Sequence, residues 1–220
     1  MIKIYPAILT DSVEVLQKQV AAIQTSNLVD TLQIDIVDGV YADNFTLTAI
    51  SVLDLDLDPK WQLDFHLMVE EPMDYLIEMV EHPGHRRIRA VIAQIEKMSY
   101  QVDFLEEVKK SGFKAGLSLD LYTPFQEIEA DAWDKLDIIQ VMGIEAGFQG
   151  QTFSTTVLKK IQNLKMLLST RKQPIELVVD GGVKLDNLAA IIQAGADGVT
   201  VGSQLWQDEN PVQVIKQMLS

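Results

Sequence analysis

The 220-residue sequence has 32 acidic and 18 basic residues and a formal net charge of −14, so nucleic acid and anionic membranes are not expected partners. It contains no cysteine, which excludes disulfides and thiolate chemistry, and no segment has a signal peptide's layout or a spanning length. We therefore expect a cytoplasmic protein with one domain over residues 1–220, of the α/β-barrel size class.

Apolar runs without polar alternation recur along the chain and predict eight strands buried on both faces. They lie at residues 3–9, 32–37, 62–69, 89–96, 114–119, 136–142, 175–180 and 198–201. Helical segments follow them, at residues 12–24, 46–55, 72–80, 100–111, after Thr123-Pro124, at 154–169, 187–194 and from Ser203 to about 219. Asp11 or Ser12 is expected to cap the first helix. This alternation predicts an α/β protein, and eight units of this length fit a single (β/α)8 TIM barrel.

Ionisable side chains stand at the carboxyl ends of several predicted strands, the edge where barrel enzymes place their chemistry. Asp35 belongs to strand two, His66 to strand three and Asp180 to the end of strand seven. Asp35 lies between Ile34 and Ile36, where an unpaired carboxylate is costly, so pairing or metal ligation is favoured. Two carboxylates with an imidazole predict either a metal site or an acid–base pair.

Structural interpretations of the same residues stay open. Asp180 could cap the helix that starts near Leu185, and His66 could be a core histidine with a satisfied hydrogen bond. For Asp38-Gly39 a turn is favoured, because this pair is common in turns.

Small residues follow the last three strands and predict a phosphate-binding site. They are Gly147 and Gly150 after strand six, Gly181 and Gly182 after strand seven, and Gly202 and Ser203 after strand eight. Barrels commonly bind phosphate with these loops, because backbone amides and a hydroxyl can hold a dianion without a lysine.

These residues lie in motifs that, over nearly the whole chain, resemble the ribulose-phosphate 3-epimerase family. The motifs are Pro-Ala-Ile-Leu-Thr at 6–10, Gln-Ile-Asp-Ile-Val-Asp-Gly at 33–39, Asp-Phe-His-Leu-Met at 64–68, Val-Met-Gly-Ile-Glu-Ala-Gly-Phe-Gln-Gly-Gln at 141–151, Val-Asp-Gly-Gly at 179–182 and Val-Gly-Ser at 201–203. They occur in the family's order on the corresponding strands. The resemblance implies a ribulose-phosphate-binding barrel that epimerises C3 of a ketose phosphate.

The resemblance also implies roles for individual residues. Asp35 and Asp180 would be the acid–base pair, and together with His66 they would ligate a divalent metal such as Zn, Mn, Fe or Mg. The remaining residues implied to contact the sugar phosphate are Met68, Met142, Gly147, Phe148, Gln149, Gly150, Gly181, Gly182, Gly202 and Ser203. A sugar phosphate is therefore the expected partner, and a homo-oligomer is left open.

Four positions depart from the family's pattern. Gln33 replaces the histidine that is the family's fourth metal ligand, Ala7 replaces a serine, Val37 a methionine and Gln94 a histidine, while Glu96 is kept. A neutral amide oxygen is a poorer ligand than imidazole for zinc-like metals, so metal binding is expected to be weak or absent. We predict that Gln33→His raises zinc or manganese affinity.

Three explanations of these departures stay open at this point. The protein could epimerise another sugar phosphate, such as a hexulose 6-phosphate. It could use a harder metal, or none. It could also have lost catalysis and kept phosphosugar binding, as a sensor or scaffold.

Overall fold

Eight parallel strands close into a barrel in which each strand pairs with the next and the last pairs with the first. The computed structural model describes residues 2–220. The strands are β1 Lys3–Ile8, β2 Thr31–Val37, β3 Gln62–Met68, β4 Ile88–Gln94, β5 Lys114–Leu119, β6 Ile138–Met142, β7 Glu176–Asp180 and β8 Gly198–Val201. The predicted α/β class and (β/α)8 TIM barrel are confirmed, and every predicted strand ends within two residues of the observed one.

Helices cover the outside of the barrel. They are α1 Val13–Ile23, α2 Ala49–Leu53, α3 Pro72–Glu81, α4 Gln101–Lys110, α5 Val157–Leu168, α6 Leu185–Ala194, α7 Ser203–Trp206 and α8 Pro211–Leu219. The helix α1 shows why they dock: it buries Leu16, Val20 and Ile23, which are spaced to share one face. Of the two predicted caps, Ser12 is the one used, and its hydroxyl accepts from the backbone N–H of Val15.

The short helix predicted after Thr123-Pro124 forms, but it is a 3-10 helix and not an α-helix. Thr123-Pro124 is followed by two 3-10 segments, Phe125–Glu127 and Ala130–Lys135, and not by an α-helix. Three carbonyl oxygens just before Pro124 accept from the amino group of Lys160, at 2.8 Å each. The carbonyl of Thr123, the first acceptor of a helix starting at Pro124, is among those bound by Lys160, and the chain crosses to β6 in shorter turns.

The last predicted helix is also corrected, because it is split in two. The helix α7 ends at Trp206, and α8 begins at Pro211. Proline has no N–H to donate and disfavours helical backbone in the residue before it, so the split falls in front of Pro211. Asn210 caps α8 by accepting from the backbone N–H of Gln213 at 3.1 Å.

An apolar layer lies inside the barrel, between polar side chains at the two ends of the strands. It consists of Tyr5, Ala90, Ile92, Ile138 and Val178. Two glycines make space for it: a Cβ at Gly116 would lie 2.8 Å from Ile92 Cγ1, and one at Gly198 would lie 2.9 Å from Tyr5 Cε2. The interior is therefore packed at this level, and a cavity opens above the layer, toward the carboxyl ends of the strands.

The helices within residues 2–220 are short. The longest, α5, has 12 residues, whereas crossing a bilayer takes about 20 apolar residues. None of the described helices has both the length and the apolar character of a membrane span.

Candidate active site

Asp35, His66 and Asp180 converge inside the barrel from β2, β3 and β7. All three side chains are buried. His66 Nδ1 lies 3.2 Å from Asp35 Oδ1 and 3.5 Å from Asp180 Oδ2. One ligand atom from each residue lies within 4.8 Å of the others, so this group could hold a metal ion. Asp180 does not cap α6, because that helix begins after Lys184, and the capping interpretation is therefore set aside.

The amide of Gln33 lies between the two carboxylates. Its nitrogen donates to Asp35 Oδ1 at 2.7 Å and to Asp180 Oδ2 at 2.7 Å. Its oxygen accepts from the hydroxyl of Thr200 at 3.0 Å. Two carboxylates can only accept hydrogen bonds, so they determine that the amide presents its nitrogen to them. Gln33 thus offers the site N–H donors and not the oxygen expected of a metal ligand.

Two further glutamines support the same group. Gln140 donates to Asp180 Oδ2 at 2.9 Å. The hydrogen bonds around Gln94 are satisfied when its oxygen accepts from His66 Nε2 at 3.2 Å and from the hydroxyl of Ser118. With its hydrogen on Nε2, a neutral His66 faces Asp35 and Asp180 with the unprotonated Nδ1. The hydrogen bond to Gln94 thereby fixes the orientation of the ring.

Burial and hydrogen bonding shift the pKa values of the group. Burial raises the pKa of Asp35, and its hydrogen bond with His66 offsets only part of that rise. Burial lowers the pKa of His66, but the hydrogen bonds to Asp180 and Asp35 outweigh it and raise the pKa to about 9. This shift favours a protonated His66, whose positive charge lies between two carboxylates.

A cavity opens above the carboxylates. Asp35, His66 and Asp180 line its floor. Its walls contain every residue predicted to contact the sugar phosphate: Met68, Met142, Gly147, Phe148, Gln149, Gly150, Gly181, Gly182, Gly202 and Ser203. Apolar side chains and a few polar groups line it together, as in small-molecule sites.

Two glycines after β7 have backbone that only glycine adopts easily. Gly181 and Gly182 have φ values of +91° and +69°. A Cβ at Gly182 would lie 2.7 Å from the backbone nitrogen of Phe153, so the loops after β6 and β7 touch there. The two loops therefore pack backbone against backbone along one wall of the cavity.

The loop after β2 reaches the loop after β6, which lines the cavity. Asp38 accepts from the backbone N–H groups of Val40 and Tyr41, at 2.8 Å each, which is the turn predicted for Asp38-Gly39. Farther along, Asn44 donates to the carbonyl oxygen of Gly147 at 2.8 Å. The loop after β2 is thereby tied to the loop expected to bind phosphate.

Gln140 and Thr200 contact the site but were missed in the sequence. Each is a single polar residue within an otherwise apolar run, Ile138–Met142 and Gly198–Val201. The same signal drew attention to Asp35, so it could have identified both.

Comparisons with known proteins give a consistent result. A sequence model described as the ribulose-phosphate 3 epimerase family matches residues 3–206. The ribulose-phosphate 3-epimerase of Bacillus subtilis is 30% identical over 99% of this chain and 98% of its own length. That of Escherichia coli K12 is 32% identical over 87% of this chain and 83% of its own.

Solved structures support the fold alone. Orotidine 5'-phosphate decarboxylase from Pyrococcus horikoshii superposes with a TM-score of 0.64 at 14% identity, covering 99% of this chain and 97% of that one. A 3-hexulose-6-phosphate synthase superposes with a TM-score of 0.61 at 14% identity, covering 99% and 98%. At such identities the likeness extends to the barrel and not to its chemistry.

Proposed function

The chain belongs to the ribulose-phosphate 3-epimerase family, an enzyme family, and we propose that it epimerises C3 of ribulose 5-phosphate or of a related pentulose or hexulose phosphate. One observation carries the proposal. Two buried carboxylates, Asp35 and Asp180, face a single cavity whose walls contain the glycine-bearing loops after β6, β7 and β8.

Epimerisation removes a proton from one face of a carbon and returns a proton to the other face. It therefore needs two acid–base groups that approach the carbon from different sides. Asp35 and Asp180 come from β2 and β7, which are separated around the barrel by β1 and β8. In the proposed reaction one carboxylate takes the C3 proton, an enediolate forms, and the other carboxyl group delivers a proton to the opposite face.

The different chemistry at the two ends of the cavity would orient the substrate. The backbone amides around Gly181, Gly182 and Gly202, with the hydroxyl of Ser203, would bind the phosphate. Such local donors are needed because the net charge of −14 repels an anion at long range. A phosphate held there points the sugar carbons toward Asp35 and Asp180.

Three residues of this site could ligate a divalent cation, but the amide of Gln33 lies between them. Asp35, His66 and Asp180 would hold it, and the mixed carboxylate–imidazole set suits Zn, Mn or Fe better than Mg, which prefers oxygen ligands. A bound cation would supply electrostatic stabilisation of the negative charge that develops on the enediolate. Gln33 does not complete the set, because its amide turns a nitrogen toward the carboxylates.

A phosphosugar-binding protein without turnover is the second candidate, since Gln33 and Ala7 replace polar groups that the family's pattern has at the site. The test is conversion of ribulose 5-phosphate to its C3 epimer, followed by NMR with Zn²⁺ or Mn²⁺ supplied and with both withheld, and repeated with hexulose 6-phosphates. We expect conversion of at least one of these sugars. Binding of the sugars without any conversion would reject the epimerase and support the sensor or scaffold.

A further inference from the structure

The amide nitrogen of Gln33 lies where three potential metal ligands converge. It is 2.7 Å from Asp35 Oδ1, 2.7 Å from Asp180 Oδ2 and 3.5 Å from His66 Nδ1. A zinc-sized ion lies about 2.0–2.2 Å from such atoms, so an ion bound by all three would lie directly against this nitrogen. The nitrogen carries two hydrogens, which are directed at the carboxylates and repel a cation.

The Gln33 side chain has no free hydrogen-bonding group in this position. It is 1% exposed, its two N–H hydrogens are taken by the carboxylates, and its oxygen accepts from Thr200. To offer the oxygen to a cation, the amide must rotate by half a turn. Both carboxylates then lose a charge-assisted hydrogen bond, which is a strong kind in a buried site. Cation binding therefore competes with the amide.

Gln140 adds to this competition. It donates to Asp180 Oδ2 at 2.9 Å, the same oxygen that accepts from Gln33. An oxygen that already accepts two N–H bonds has less lone-pair density to give to an ion. Asp180 is therefore the carboxylate of the group that is most fully used by amides.

We propose that Gln33 takes the place of a divalent cation between Asp35 and Asp180. Its –NH2 group bridges the two carboxylates, holds them at the spacing seen here, and lets the protein turn over its substrate without a bound metal. The part on turnover rests on the proposed function, whereas the part on cation exclusion rests on geometry alone.

Cobalt binding tests cation exclusion without an activity assay. Wild type, Gln33→His and Gln101→Leu are titrated with Co²⁺, with visible absorption and calorimetry as readouts. Gln101 is a matched control, because it is another buried glutamine with side-chain hydrogen bonds, but to Glu127 and Glu129. We expect Gln33→His to bind one equivalent at least about tenfold more tightly than wild type, and Gln101→Leu to match wild type. Equally tight binding by wild type and Gln33→His would overturn the proposal.

Chelation tests the part on turnover. After dialysis against EDTA, wild type should keep its epimerase rate, and added Mn²⁺ should not raise it. Gln33→Glu, which is nearly isosteric and offers oxygen in place of N–H, should acquire a dependence on Mn²⁺. Loss of wild-type turnover on chelation, with recovery on Mn²⁺, would contradict the proposal. If no form turns over any ketose phosphate, the proposed function fails, and the cobalt affinities alone decide whether Gln33 excludes the cation.

Discussion

Two clusters of buried and half-buried polar side chains lie inside this barrel, one at each end of the strands, and they balance charge in different ways. The upper cluster, at the carboxyl ends, consists of Gln33, Asp35, His66 and Asp180. The lower cluster, at the amino ends, consists of Tyr5, Asp64, Arg89 and Glu176.

In the lower cluster each acid has a cation. Asp64 accepts two hydrogen bonds from the guanidinium of Arg89, one of them at 2.7 Å. Glu176 accepts from Tyr5 at 2.5 Å and from Lys3 at 3.1 Å. Arg89 also lies over the ring of Tyr5, 4.9 Å from its centre. With its charges paired in this way, the cluster connects strands of the barrel through ion pairs and hydrogen bonds.

In the upper cluster two carboxylates share one imidazole, and the group opens into a cavity. The excess negative charge is held by amide donors and is accessible to a ligand. This difference shows that burial of an acidic side chain does not by itself indicate a catalytic or binding role. Asp64 and His66 belong to one motif on one strand, yet the partner of Asp64 makes it structural.

The largest expected effect comes from neutralising an upper carboxylate. Asp180→Asn and Asp35→Asn should each lower kcat by about 10²–10⁴-fold, because each removes one acid–base group. Neither should unfold the protein, since the asparagine amide keeps the shape of the carboxylate that it replaces. Turnover by NMR and thermal unfolding measure the two quantities, with Asp56→Asn at an exposed position as control. Full activity in either variant would remove the basis for the proposed mechanism.

A smaller effect is expected from placing a negative charge at the end of the cavity that is proposed to bind the phosphate. Gly202 has a φ of −104°, and a Cβ there would lie 3.2 Å from Gln149 Nε2, so a side chain is tolerated with a small shift. Gly202→Asp should abolish sugar-phosphate binding, because two like charges about 4 Å apart repel by about 4 kcal/mol near a protein surface. Gly202→Ala is the matched neutral control. Calorimetry that shows wild-type affinity in Gly202→Asp would place the phosphate elsewhere.

Breaking the lower cluster should change stability and leave chemistry intact. Arg89→Met leaves Asp64 buried without its partner and should lower the free energy of unfolding by about 3 kcal/mol. The value of kcat for molecules that remain folded should stay near wild type. Urea unfolding and turnover below the transition distinguish these quantities. A large loss of kcat at unchanged stability would mean that the two clusters are coupled.

The smallest effect concerns the residue that holds Gln33. Thr200→Val keeps the shape and removes the hydroxyl that donates to Gln33 Oε1, so one buried acceptor loses its partner. We expect a loss of about 1–3 kcal/mol in the free energy of unfolding. Thr200→Ser keeps the donor and should stay closer to wild type in urea unfolding. Equal stability of the valine and serine variants would show that the hydroxyl does not hold the amide.

The strands were predictable because a run such as Leu177 to Val179, apolar on both faces, has few alternatives. The convergence of Asp35 and Asp180 followed from the barrel, which brings strand ends together. The role of Asp64 and the orientation of the Gln33 amide did not follow. Both depend on contacts across strands, and Gln33 and Asp180 are 147 residues apart in the chain.

The helix after β5 shows the same limit. Thr123-Pro124 is a good local start signal, and the sequence around it contains nothing that forbids an α-helix. Lys160, far along the chain, binds the carbonyl groups that precede Pro124. A local signal is overridden there by a tertiary contact, which no pattern within the segment records.

Proton exchange at C3 tests the central claim most directly. Ribulose 5-phosphate is incubated with the protein in D2O, and the C3 hydrogen of substrate and product is followed by NMR and mass spectrometry. A reaction through Asp35 and Asp180 predicts one deuterium at C3 of the product, with the incorporation lost in Asp35→Asn and Asp180→Asn. Epimer that forms without deuterium, or deuterium that still enters in both variants, would contradict the two-carboxylate mechanism.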